Sequence, residues 1–166
     1  MKISSTVEWA IHCCTLLASL PPEINLTGKD LAEYHSVPHP YLAKALQTLS
    51  SEGILMTVSG PRGGYKLAKK PSKVSLLDIV LSIEGSDSCF ECDEIRQKGP
   101  TALERSASYK RPCLIASAMW QAEKVWRAEL DKVKLSDLLD KVKVEADPRQ
   151  LKKGADWIAQ RTQGKK

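Results

Sequence analysis

The chain has 166 residues, 42% of them hydrophobic and 27% charged, and a net charge of +5. That length suits one moderate domain or a small domain with an appendage, and the composition is that of an ordinary soluble globular protein. No apolar run reaches the length of a membrane span, and Glu8 and His12 interrupt the first apolar stretch where a signal peptide needs continuity. The expected setting is the cytoplasm, with reduced thiols and no membrane partner.

Residues 5–18 read as a helix, because Val7, Ala10, Ile11, Cys14, Leu17 and Ala18 repeat at three and four. Pro21-Pro22 stops it. Thr27 has the chemistry of an N-cap for a short helix over 29–34, with Leu31 and Ala32 inward. A turn at His35-Ser36-Val37 leads to Pro38 and a longer helix to about residue 52. Leu42, Ala45, Leu46 and Leu49 share one face of it, and Gly53 closes it. The period then changes. Residues 55–59 form a candidate strand, 60–64 a glycine-rich turn and 65–68 the returning strand. Ser75 caps a further helix over 76–83.

Three helices followed by a glycine-tipped hairpin is the plan of a winged helix-turn-helix. The second helix of the pair would lie in the major groove, and the hairpin would reach the minor groove or the backbone. Charge supports this. Residues 38–73 carry Lys44, Arg62, Lys66, Lys69, Lys70 and Lys73 against a single acid, Glu52. Such a basic segment is a docking place for a polyanion, here double-stranded DNA.

Residues 86–113 break the pattern. They hold three of the five cysteines, Gly99-Pro100 and Pro112, and few apolar residues. A loop of this length in a compact domain is functional or disordered. A strongly periodic helix follows over 114–132, with Ile115, Ala118, Met119, Ala122, Val125, Trp126, Glu129 and Leu130 as its stripe. One winged-helix domain cannot cover it, so a homodimer through this helix is expected. Ser136 would cap a short helix over 137–142, and residues 149–161 form one more, with Leu151, Ala155 and Ile158 on one side. The expected fold is mainly α with a small β-hairpin wing, plus a long dimerisation helix. Its divisions are a DNA-binding domain at 1–85, a cysteine loop at 86–113, the dimerisation and short helices at 114–142, and a basic, partly disordered extension at 143–166.

Cysteine and histidine are metal ligands, and a carboxylate completes iron sites. Glu8 and His12 stand at i and i+4, on one helical face. Cys14 falls on the apolar stripe and reads as core; Cys13 is left without a role. Cys89-Phe-Glu-Cys92 and the later Cys113 lack a fourth nearby ligand, since the three histidines lie at 12, 35 and 39. A closed zinc site usually wants that fourth ligand. It must come from the N-terminal part or from a second chain, which favours an incomplete, labile, iron-type centre.

The run Gly60-Pro-Arg-Gly-Gly-Tyr65-Lys-Leu67, the preceding Pro-Tyr41-Leu42-Ala-Lys44 and the following Val74-Ser-Leu-Leu-Asp78-Ile resemble the Rrf2-type winged-helix regulators, over about residues 1–142. That family includes the iron–sulfur cluster regulator IscR, the nitric-oxide sensor NsrR and the cysteine regulator CymR. Val7-Glu8-Trp9-Ala10-Ile11-His12-Cys13-Cys14, the segment from Phe90 to Pro100 and Cys113-Leu-Ile-Ala-Ser-Ala-Met119 resemble its redox-sensing RsrR branch. The resemblance implies a [2Fe–2S] cluster between subunits, held by Glu8 and His12 of one chain and Cys92 and Cys113 of its partner. Cys89 departs from this pattern. It is a spare thiol, a replacement ligand, or a third cysteine of a [4Fe–4S] cluster with Glu8.

DNA contacts are expected from His39, Tyr41, Lys44 and Gln47 on the second helix of the pair, from Arg62 at the wing tip and from Lys66, with Lys69 and Lys70 on phosphate. No enzyme signature stands against this, for Gly60 to Gly64 sits in a hairpin and not between a strand and a helix. Two competitors differ in chemistry. One is a clusterless regulator controlled by a protein partner or by oxidation of Cys89, Cys92 and Cys113. The other is a metal-trafficking or electron-transfer protein without specific DNA binding.

Overall fold

The computed structural model describes residues 3–60, 63–103 and 109–162. Helix α1 (Ser5–Ala18) is the hub of the N-terminal unit, and the helices Gly28–His35, His39–Ser51, Leu76–Glu84 and Leu135–Glu145 all pack on it. It buries Val7, Ala10, Cys13, Cys14, Leu16 and Leu17. The apolar face is therefore wider than the spacing of the stripe alone indicates. Cys13 is as buried as Cys14, and burial pushes its thiol up to about 12. Both are core residues, inert as nucleophiles and ligands.

Helix α2 (Gly28–His35) starts in a capping box. The Thr27 hydroxyl accepts from the Asp30 N–H at 3.1 Å, and the Asp30 carboxylate accepts the Thr27 N–H at 3.0 Å. This satisfies two helix-end donors reciprocally, a device worth about 1 kcal/mol. Helix α3 (His39–Ser51) opens on Pro38 and sends Leu42, Ala45, Leu46 and Leu49 into the core. Each fully buried leucine contributes roughly 2 kcal/mol.

The wing is an antiparallel pair, β1 (Leu55–Val58) and β2 (Gly64–Leu67), with Leu55 opposite Leu67 and Val58 opposite Gly64. Two contacts seat it. The Thr57 hydroxyl meets that of Ser50 at the end of α3 at 2.9 Å. Leu26 and Tyr65 exchange backbone hydrogen bonds of 3.2 and 2.8 Å. A Cβ on Gly64 would lie 2.4 Å from the Leu26 carbonyl oxygen, so only glycine permits this approach. Between the strands, Pro61 and the expected wing-tip residue Arg62 both lie outside the described residues.

Helix α4 (Leu76–Glu84) begins in a second capping box, Ser75 with Asp78. The Ser4 N–H donates to Glu84 at 3.0 Å, tying the start of α1 to the end of α4. Helix α5 (Leu114–Lys132) buries only Ala116 among its described side chains, with Trp126, Arg127 and Leu130 half-buried beside it. The expected stripe thus divides. Trp126 and Leu130 turn inward, while Ile115, Ala118, Met119, Ala122 and Val125 stay exposed.

Helix α6 (Leu135–Glu145) starts two residues earlier than expected and crosses the boundary placed at residue 142. Its first turn is held by the chain itself: the Leu135 N–H donates to Val74 O and the Leu76 N–H to Val133 O. Lys134, not Ser136, is therefore the cap, and Asp137 accepts the Lys134 N–H at 2.9 Å. The described part of the basic extension is ordered as α7 (Pro148–Thr162). It docks on α2 through Trp157 against Tyr34 and through Arg161 beside Asp30 and Glu33. Among the described residues, no helix is long and apolar enough to cross a membrane.

Candidate metal ligands and nucleic-acid interface

Glu8 and His12 occupy the exposed stripe of α1, in line with Ser5 and Ser19, because every other face of that helix is packed. They border a groove of about 1020 Å³ between α1, α2, α6 and α7, together with Trp9, Tyr34 and His35. The ring of His12 lies 5.6 Å from that of His35. His35 Nε2 is buried without a hydrogen-bond partner. Burial and the neighbouring His12 lower the His35 pKa to about 4, so its imidazole is neutral at pH 7.

Cys92 and Cys113 come together at the start of α5. Cys113 is the N-cap of α5. The backbone N–H groups of Ala116 and Ile115, the Cys92 thiol and the Arg96 guanidinium all hold its pKa below the ordinary thiol value. A helix N-terminus favours thiolate, the form that binds metal. The chemistry of this pair fits half of an iron–sulfur ligand set. Arg96 is itself fixed, bonded to Glu94 at 2.6 Å and placed 5.3 Å over the Tyr109 ring.

Glu8 and His12 are not brought to Cys92 and Cys113 within one protomer. Among the described residues, no three Asp, Glu, His or Cys side chains gather closely enough to hold a metal ion. Cys89 does not complete a trio with Cys92 and Cys113 either. Its side chain is exposed, and its backbone N–H donates to Glu123 at 3.0 Å.

The start of the cysteine loop, residues 86–90, is tied down, and the reason lies on α5. Glu123 accepts from the Ser88 hydroxyl at 2.7 Å and from the Cys89 N–H. Arg127 donates to the carbonyls of Ser86 and Asp87, and the Trp120 indole donates to Phe90 O at 3.1 Å. Sequence reasoning missed these anchors. A Glu–Arg pair at i and i+4 was the only signal, and such pairs usually serve the helix surface.

His39, Tyr41, Lys44 and Gln47 are all exposed on α3. The latter three recur at i, i+3 and i+6, opposite the buried leucines, and Tyr41 is 69% exposed. Lys66 is half-buried on β2, and its ammonium donates to Pro22 O at 3.3 Å. Lys69 and Lys70 beyond it are exposed.

A family profile described as "Rrf2: Iron-dependent Transcriptional regulator" matches residues 3–141. YwgB of Bacillus subtilis (strain 168), which carries the name of an HTH-type transcriptional regulator, is 26% identical over 164 residues, 99% of each chain. The HTH-type transcriptional regulator NsrR of Geobacillus kaustophilus is 27% identical over 141 residues, 84% of this chain and 90% of that one. Among solved structures, T. potens IscR superposes with a TM-score of 0.66 at 23% identity, covering 89% of this chain and 93% of that one. CymR, described as the global cysteine regulator of B. subtilis, gives 0.61 at 24%, covering 85% and 98%. These structural likenesses establish the winged-helix fold.

Proposed function

This chain belongs to the Rrf2 family of iron-dependent transcriptional regulators, and on that premise we propose that it is a homodimer that binds an operator in double-stranded DNA and shares a [2Fe–2S] cluster between its subunits. In this reading it resembles the RsrR branch, acts in the cytoplasm, and senses redox state, oxygen species or nitric oxide. The coarser assignment is firm: it is a transcriptional regulator and not an enzyme, as its relatives are named transcriptional regulators.

One observation carries the proposal. The donor set divides two and two within a protomer, with Glu8 and His12 on α1 and Cys92 and Cys113 at the head of α5, and among the described residues neither pair gathers a third donor closely enough to hold a metal ion. Two complementary half-sites are what a symmetric dimer joins into two whole ones. The exposed stripe of α5 supplies the surface for that dimer. Ile115 is 65% exposed and Val125 53%. The outlying Cys89 favours the two-cysteine set over a [4Fe–4S] arrangement.

Glu8 and His12 would hold one iron, and Cys92 and Cys113 the other. When bound, the cluster supplies a one-electron couple whose mixed ligands raise its potential relative to four thiolates. Everything else is done by the chain. Helix α1 carries the first pair of ligands and packs directly against α3, so a shift of α1 displaces the reading helix. On α3, His39, Tyr41, Lys44 and Gln47 face the DNA, with Arg62, Lys66, Lys69 and Lys70 serving phosphate or the minor groove. The units expected at 1–85, 86–113, 114–142 and 143–166 would then serve DNA binding, metal holding, dimerisation and bracing, with α6 running across the last boundary.

A second reading has its own support. Cys92 and Cys113 are adjacent, and Cys113 is biased toward thiolate. Oxidation of that pair would control a clusterless regulator.

A mixed dimer separates the readings. A His12→Ala chain paired with a Cys92→Ala chain keeps one intact site if ligands cross the interface, and none if they come from one chain. Iron and acid-labile sulfide near half the wild-type content support the shared cluster. No iron in the wild type, with DNA binding that responds to thiol oxidants, supports the clusterless regulator.

A further inference from the structure

We propose that Glu123 and Arg127 are positioning residues that clamp the start of the cysteine loop to α5, so that the metal-binding segment and the dimerisation helix move as one body. The inference rests on the reading that Cys92 is a ligand, but its evidence is separate. The pair is bonded at 2.6 Å, with the Glu123 side chain 11% exposed and that of Arg127 22% exposed. One carboxylate oxygen of Glu123 takes the Arg127 guanidinium, and the other takes both the Ser88 hydroxyl and the Cys89 N–H. Arg127 extends the same network to Ser86 O at 3.1 Å and Asp87 O at 2.7 Å. Four consecutive loop residues are thereby read by two side chains one helical turn apart.

This division of labour is chemically specific. Backbone groups of an irregular loop have no ladder partners and must be satisfied individually. Charged partners make the stronger hydrogen bonds, and the planar guanidinium reaches two carbonyls at once. The clamp also assigns Cys89. Its N–H is bonded to α5, so its backbone is part of the anchor, while Cys92 lies three residues on, beside Cys113. Cys89 marks the fixed end of the loop and Cys92 its working end.

The test uses the full-length dimer, first without metal. Hydrogen exchange of the 86–92 amides and alkylation of Cys92 and Cys113 by iodoacetamide are followed in Glu123→Ala, Glu123→Gln, Arg127→Lys and the neighbouring control Lys124→Ala. The expected result is exchange at Cys89 faster by about tenfold in Glu123→Ala, the scale of a charge-assisted hydrogen bond. Glu123→Gln, which keeps an acceptor, should recover part of the protection, and the control should match wild type. After iron and sulfide reconstitution, Glu123→Ala should lose its visible circular dichroism several-fold faster. Unchanged loop exchange in Glu123→Ala overturns the clamp. So does an equal rise along the whole of α5, which would mean a weakened helix. If the wild type takes up no iron, the cluster reading fails, while the metal-free measurements still decide the clamp.

Discussion

Trp157 of α7 meets Tyr34 of α2 edge to face, with ring centroids 5.3 Å apart. The Arg161 guanidinium lies 4.9 Å over the same indole and pairs with Glu33, so α7 is fastened to the first helix of the helix-turn-helix pair. A Cβ on Gly154 would lie 2.6 Å from the Tyr34 hydroxyl oxygen, so a larger residue there would displace the Tyr34 side chain. Loss of an aromatic pair and its packing destabilises by about 1–3 kcal/mol at a partly exposed site. Trp157→Ala should therefore lower the urea midpoint at an unchanged m-value. An unchanged midpoint would show that α7 adds nothing to the stability of the DNA-binding unit.

His35 makes stability depend on pH. Its folded pKa is depressed to about 4 from 6.5, so the unfolded chain binds the proton first as pH falls. The stability is fully present above pH 6.5, declines as pH drops from there to about 4, and then levels off. With the ring partly exposed, the change is about 1–2 kcal/mol. In metal-free protein, His35→Gln should flatten the unfolding free energy across that window. A curve as steep as wild type would assign the slope to other groups.

The exposed apolar part of the α5 stripe, Ile115 to Val125, should tolerate no charge. Met119 is 45% exposed in the protomer, so Met119→Asp leaves the subunit fold intact and desolvates a carboxylate only on association. Sedimentation velocity should show monomers with wild-type far-ultraviolet circular dichroism. Operator affinity should fall with the dimer. A dimer that survives Met119→Asp would place the interface elsewhere.

Lys44 should report on the salt dependence of DNA binding. It is exposed on α3 between Tyr41 and Gln47. If it neutralises a phosphate, Lys44→Ala reduces the slope of log K against log salt by about 0.9 per contact, hence about 2 in a symmetric dimer. If it reads a guanine, the slope moves less and one base position loses discrimination by about 1–3 kcal/mol. Wild-type affinity in Lys44→Ala would remove α3 from the interface.

Most of the architecture was legible in the chain. The limits of α5 over 114–132 follow from its period and from Pro112 before it, and the capping boxes at Thr27 and Ser75 place the starts of α2 and α4. The glycines at 60, 63 and 64 announce the wing. These signals are local, since a helical period, a cap or a tight turn is set by residues within a few positions of one another. The Glu8–His12 spacing is likewise local, and so was visible.

Tertiary structure decided the rest. Whether Cys13 is exposed depends on how many helices surround α1, and four do. Ser136 has capping chemistry, yet the bridge between Ser75 and Lys134 starts α6 earlier. Nothing local to Lys66 shows that the Pro22 carbonyl is folded beside its ammonium, 44 positions away in the chain. Glu123 and Arg127 look like surface charges until residues 86–89 return across α5, 34 to 41 positions away in the chain. Such contacts join segments that no local period relates, so only the closed fold could bring them to light.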